Sequence, residues 1–400
     1  MSEPPAAKVL ILGAGIAGCA LAYHLALRSV GPVVVYDPRT PAAGATGRAA
    51  GILTEQLWNR WDVEVARETN REYAELCHRW EPDAYQQNGF VRFTANPEAL
   101  PVLEESVDRL RTWGVEVDLA SRDDLARWVP AGNFDDVVGA LYARHDGCVT
   151  PSAMTTIYAE NARERGATFD FGQPMLGLER RERGWELRTS SGTRKVSEVV
   201  VAAGAWTRSV LRALGYALPL TPYRTQAATL QAPGSGRGEF PSVHDIDLDV
   251  YVRPEGHGRL LAGDGTEKVE ADPDRFIPGG DAQFLSHLAE SLAKRFPGWA
   301  DSQVVAAWAG VCTSTPDRRP LIGPVPESQG LYVLTGFNGF GVMRAGGAAR
   351  RLADLLADGS DSDSAKEALH PVWPARFPNG FPPGPPRPGF TLEPGDQPRF

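Results

Sequence analysis

Gly13, Gly15 and Gly18 stand in the GxGxxG spacing between an apolar, β-branched run at 8–12 and the helical run CALAYHLALRS. Glycines so placed let the chain turn tightly and bring its backbone against a pyrophosphate. The helix start, with Ile16 and Ala17, offers N–H donors and the positive end of a dipole. A second apolar run at 33–36 ends in Asp37, followed by Pro38 and Arg39. A carboxylate there accepts hydrogen bonds from ribose hydroxyls and repels a 2′-phosphate, which favours FAD or NAD over NADP. Glycine-rich turns also serve plain strand-to-helix packing. Strand, helix and acidic residue in register are what point to a dinucleotide.

These residues need a frame, and the chain is long enough to build one. With 400 residues it exceeds what one hydrophobic core usually serves, so two domains are expected. Apolar content of 42% and charged content of 23% suit a folded globular protein. A formal charge of −9 argues against nucleic acid as the main partner. Cys19, Cys77, Cys148 and Cys312 are scattered without a CxxC pair, so neither zinc nor a disulfide framework is expected, no metal site is assigned, and a reducing cytoplasm fits. The first residues lack the pattern of a signal peptide, and no stretch reads as a membrane span.

Patterning predicts helices over 62–80, 100–113, 151–165, 281–296 and, last, 344–358. Strands are predicted at 89–93, 137–142, 185–189, 194–201 and 331–335, with a hairpin in VYVRPEGHGRLLAG. The fold class expected is α/β: a Rossmann-type dinucleotide domain interleaved with a smaller α+β domain on a mainly antiparallel sheet. Residues 1–85, 145–215 and 303–376 are assigned to the first domain and 86–144 and 216–302 to the second. The Pro/Gly-rich stretch 377–400 is read as a tail.

Four blocks in order carry a family likeness: GATGRAAGIL, VVVAAGAWTRSVLRALG, WAGVCTSTPDRRPLIGP and TGFNGFGVMRAGGAARRLADLL. Together they resemble the D-amino-acid oxidase and glycine/sarcosine oxidase superfamily from residue 8 to about 358. The likeness implies FAD and adds Ala45, Thr46, Arg48, Ala49, Ala50 and Gly51 to its contacts. Met175, Ala203, Gly204 and Trp206 are placed with the cofactor too, as are Gly310, Pro316 and Asp317 of the third block. Gly336, Phe337, Asn338, Gly339, Phe340, Gly341 and Val342 form the closing glycine-rich turn, whose backbone N–H groups would approach the flavin's pyrimidine edge. Histidyl-flavin relatives carry their histidine where Arg48 stands. Cys312 lies two residues too close to the TPD triplet for the cysteinyl link of monomeric sarcosine oxidases. FAD is therefore expected to be held non-covalently.

The resemblance implies hydride transfer from a carbon bearing an amine to flavin N5, giving an imine. Arg253, on the strand VYVRPEG, is the candidate for pairing with a substrate carboxylate, with Tyr251 on the same strand face. A surface arginine and a core tyrosine are the plain alternative. Arg48 is the next candidate, though the pyrophosphate or turn carbonyls suit it equally. His244 is given no role. Met343 falls where sarcosine-oxidase relatives carry a lysine, which puts an N-methylglycine-type substrate in doubt. The expected partners are a small amine, amino acid or cyclic imino acid and an acceptor, O2 or another. Oxidation of a 2-hydroxy acid or polyol phosphate on the same scaffold is the first rival, and a non-catalytic flavin-binding subunit the second.

Overall fold

The computed structural model describes residues 7–232, 240–264, 269–359 and 362–377. The tail expected after residue 377 lies outside the described residues.

A mostly parallel sheet is built on the strand Ala7–Leu12, which pairs in parallel with Val33–Asp37 on one side and Gly192–Val201 on the other. Thr168–Phe171 extends it beyond Val33–Asp37, and Leu331–Thr335 pairs in parallel with Gly192–Val201. Met175–Arg180, Trp185–Thr189 and Gly192–Val201 form an antiparallel meander, which contains the strands expected at 185–189 and 194–201. Alternate residues of the central strands serve two cores. Val9, Ile11, Val33 and Val35 pack with the helices, and Leu10, Leu12, Val34 and Tyr36 pack under the meander.

The opening helix Ile16–Leu27 is apolar on nearly all sides, as a helix enclosed by others must be, and it lies against Pro151–Glu164 and Ala345–Asp358. The long helix Arg60–Trp80 starts at Asn59, whose side chain accepts a hydrogen bond from Asp62 N. Pro151 occupies the first turn of its helix, where a missing N–H costs nothing.

The second sheet also has eight strands, all antiparallel neighbours except Phe90–Thr94 beside Ser242–Asp245. The predicted hairpin is present as Val250–Gly256 and Arg259–Asp264. Gln303–Ser314, assigned from sequence to the first domain, is instead the edge of this sheet and pairs with Thr221–Gln231 over nearly its whole length. Its short apolar run does not reveal which sheet it joins, because only the partner strand decides that. A short helix, Asp363–Leu369, follows the one read as the last. The capping-boxed helix Arg122–Trp128 also lacked a long enough apolar period to be read.

Parallel strands end at the same edge of a sheet. Leu12, Asp37, Val201 and Thr335 therefore deliver four loops to one crevice, at the carboxyl ends where open α/β sheets bind ligands.

Candidate active site

A cavity of about 1180 Å³ opens at that edge. At Gly13 φ is +114°, and a Cβ would lie 2.5 Å from Ala202 O, so only glycine lets the first turn pass beneath the neighbouring strand. A Cβ at Gly18 would meet Gly13 O at 2.0 Å; this glycine serves helix-to-strand contact and does not line the cavity. Asp37 reaches the cavity with both carboxylate oxygens engaged: Ala14 N donates to Oδ2 and Arg39 N to Oδ1, each at 2.9 Å. The Arg39 guanidinium lies 4.2 Å over the Trp206 ring, beside Met175 and Pro38 on the cavity wall. Trp206 is itself held by Asp274 at 2.7 Å.

The loop at 43–51 forms the next part of the wall. Thr46 Oγ1 accepts from Ile16 N, tying this loop to the helix start. Arg48 lines the cavity, and its Nη1 donates to Ala43 O and Gly44 O, the turn-carbonyl role. Trp308 Nε1 donates to Arg48 O across from the second sheet. The glycine-rich turn at 336–342 faces the same space. Asn338 accepts from Thr315 N and donates to Gly336 O, locking the two C-terminal blocks together.

Besides Gly18, three more expected positions fall elsewhere. Pro316 and Asp317 do not line the cavity. The Asp317 carboxylate is taken by Arg376, at 2.7 and 3.0 Å, and anchors the 374–376 turn. Arg253 does not line the cavity either. Its Nε donates to Ala50 O, its Nη1 to Pro254 O and its Nη2 to Glu255, so it braces the loop at 49–51 from behind. Tyr251, two residues earlier, does line the cavity, lying over Gly263 of the paired strand.

The remaining wall comes from side chains to which the sequence reading gave no role. Tyr223 stands opposite Cys312 in the sheet register, and both face the cavity. Burial first, and the Cys312 thiol second, hold the Tyr223 hydroxyl well above its ordinary value, so it stays protonated. Phe90, Arg92, Thr54, Ile246 and His244 complete this end, with His244 Nε2 3.5 Å from Asp249. Behind Thr54 lies Asp146, fully buried; Thr54 Oγ1 and Glu55 N donate to it, yet burial pushes its carboxyl up to about 8. The signal for Arg92 was a single charge inside the apolar strand FVRFT. For Tyr223 there was none, because its strand had no partner on paper.

The cavity suits a dinucleotide of FAD's class. One wall presents the glycine turn, a ribose-facing carboxylate and an arginine-stacked indole, and the other a chamber in which Phe90, Ile246 and Val311 stand among polar groups, Arg92, His244, Asp249 and Tyr251 included. Among the described residues no cluster suits a metal ion, and no helix is long and apolar enough to cross a membrane.

Comparison with known proteins agrees. Residues 8–355 match a family model described as FAD dependent oxidoreductase. Human mitochondrial sarcosine dehydrogenase is 28% identical over 376 residues, covering 89% of this chain and 40% of the relative. The chain thus spans about two fifths of the length of that relative. Glycine oxidase of Geobacillus kaustophilus is 24% identical, with 87% of this chain and 92% of the relative covered. In fold, the L-proline dehydrogenase of P. horikoshii superposes with a TM-score of 0.85 at 24% identity, covering 94% of this chain and 99% of the other.

Proposed function

The chain belongs to the FAD-dependent oxidoreductase family, with FAD as cofactor, and from that premise we propose that it oxidises the C–N bond of a small amine, amino acid or cyclic imino acid to an imine. One observation carries the reading: a single cavity is walled by the dinucleotide loops of the first sheet and by a tyrosine-bearing chamber of the second. The similarity to sarcosine dehydrogenase and glycine oxidase supports C–N chemistry over the 2-hydroxy acid alternative.

When bound, FAD supplies the two-electron acceptor. The chain's own residues do the rest. Gly13, Gly15, Ile16 and the loop at 43–51 would present backbone and Thr46 to the pyrophosphate, and Asp37 would take the ribose. Phe340, backed edge to face by Trp58 at 4.5 Å, closes one side of the chamber, with Tyr223 and Tyr251 among the other groups lining it. The aromatic side of the chamber, where Phe340, Tyr223 and Tyr251 stand, disfavours an ammonium ion beside it and so favours the neutral amine that must be oxidised. Tyr223, held protonated, donates and does not act as a base. O2 or another compound would be the final electron acceptor. Four cysteines outside any disulfide suit the cytoplasm as the site of action.

Anaerobic mixing of the purified flavoprotein with amines, amino acids and 2-hydroxy acids tests this directly. Amino or imino compounds should bleach the flavin and release ammonia or a primary amine after hydrolysis, or a cyclic imine. Bleaching by hydroxy acids alone would transfer the reading to C–O oxidation.

A further inference from the structure

Four arginines are buried among the described residues: Arg92, Arg253, Arg295 and Arg344. Three of them meet a carboxylate. Arg253 pairs with Glu255, Arg295 with Asp245 and Asp136, and Arg344 with Asp62. Arg92 has no such partner, although it is only 7% exposed and lies within the all-buried strand Phe90–Thr94.

Its Nη1 donates to Gln56 O at 2.8 Å. Its Nε is buried with no hydrogen-bond partner. The Phe90 ring, 5.4 Å from the guanidinium carbon, offers a weak compensation. Asp146 attracts it from beyond ion-pair distance, but that carboxyl, pushed up to about 8, is mostly neutral at pH 7. Burial pulls Arg92 itself down only to about 10, so it remains a cation. Enclosing an uncompensated guanidinium costs several kcal/mol. The other buried arginines avoid that cost, and Arg92, alone among them, lines the cavity.

We propose that Arg92 is the carboxylate anchor of the chamber, which makes the substrate an amine that carries a carboxylate: an α-amino acid, a cyclic imino acid or an N-substituted glycine. The class of substrate rests on the C–N oxidation argued above. With Nη1 held by Gln56 and Nε enclosed, Nη2 is the donor left for a carboxylate, through a charge-assisted hydrogen bond. The anchor comes from the second sheet, whereas the dinucleotide loops come from the first, so substrate bound to it lies between the two. A simple amine leaves the guanidinium uncompensated and is rejected for that reason.

The test uses the holoprotein, its Arg92→Lys and Arg92→Met variants, and benzoate, a carboxylate that cannot be oxidised. Benzoate binding is read from the shift it causes in the flavin absorbance spectrum. Its Kd should rise about 100-fold in Arg92→Met, as expected when one member of a buried charge pair is removed, and less in Arg92→Lys, which keeps the charge. Amino acids should reduce the wild-type flavin about 100-fold faster than their carboxamides do. Unchanged benzoate affinity in both variants, or no benzoate binding by the wild type, overturns the proposal. If Arg92→Met fails to retain FAD, the graded loss in Arg92→Lys decides. Reduction by 2-hydroxy acids alone, with benzoate still dependent on Arg92, would remove the C–N reading and leave the anchor standing.

Discussion

At the scale of single residues, the polar groups behind the chamber are tuned by burial more than by partners. Asp146 has two hydrogen-bond donors and the distant pull of Arg92, yet desolvation dominates and raises its carboxyl from 3.8 to about 8. The unfolded chain ionises this group near pH 4, while the folded chain keeps it protonated to about 8. Folding therefore takes up a proton in that window. The stability Asp146 contributes is complete below pH 4 and is lost as pH rises towards 8, at up to about 1.4 kcal/mol per pH unit. Asp146→Asn should flatten the fall in urea midpoint between pH 5 and 8. Equal slopes for wild type and variant would contradict this.

At the scale of elements, two helix starts are tied by one buried ion pair. Arg344, immediately before Ala345–Asp358, meets Asp62 in the first turn of Arg60–Trp80, and neither side chain is exposed. The same guanidinium donates to Phe337 O and Phe340 O, so it also shapes the glycine-rich turn on the cavity wall. Arg344→Met strands a buried carboxylate and should cost about 3–5 kcal/mol in urea unfolding. Pairing it with Asp62→Leu should restore most of that loss, because replacing both charges removes the uncompensated one. The double variant should still release FAD faster than the wild type, since the turn's two carbonyls lose their donor. A single variant as stable as the wild type would show that the pair adds nothing.

At the scale of the molecule, one cavity is walled by both sheets, so its ligand reports on the whole fold. FAD held without a covalent bond must stabilise by mass action, about 4 kcal/mol at a free concentration 1000 times its Kd. Acid precipitation should release all the yellow colour, and titrating FAD into the apoprotein should move the urea midpoint continuously. Colour retained in the pellet, with a midpoint indifferent to added FAD, would mean a covalent link.

The sequence alone determined the dinucleotide half. The GxGxxG turn, Asp37 and the turn at 336–342 all act within a few residues of their own strands, where spacing and periodicity are physical constraints. It also showed the VYVRPEG hairpin, because a strand, a tight turn and a returning strand are local. Tertiary structure decided the substrate end. Tyr251 and Arg253 share a strand, but the carbonyl of Ala50 and the carboxylate of Glu255 draw Arg253 behind the loop, while Tyr251 stays on the cavity. Asp317 was claimed by Arg376, 59 residues away in the chain. Arg92 became a candidate because Asp62, Asp245 and Glu255 are committed to other arginines. Charge compensation depends on which groups meet in space, and no spacing along the chain encodes that.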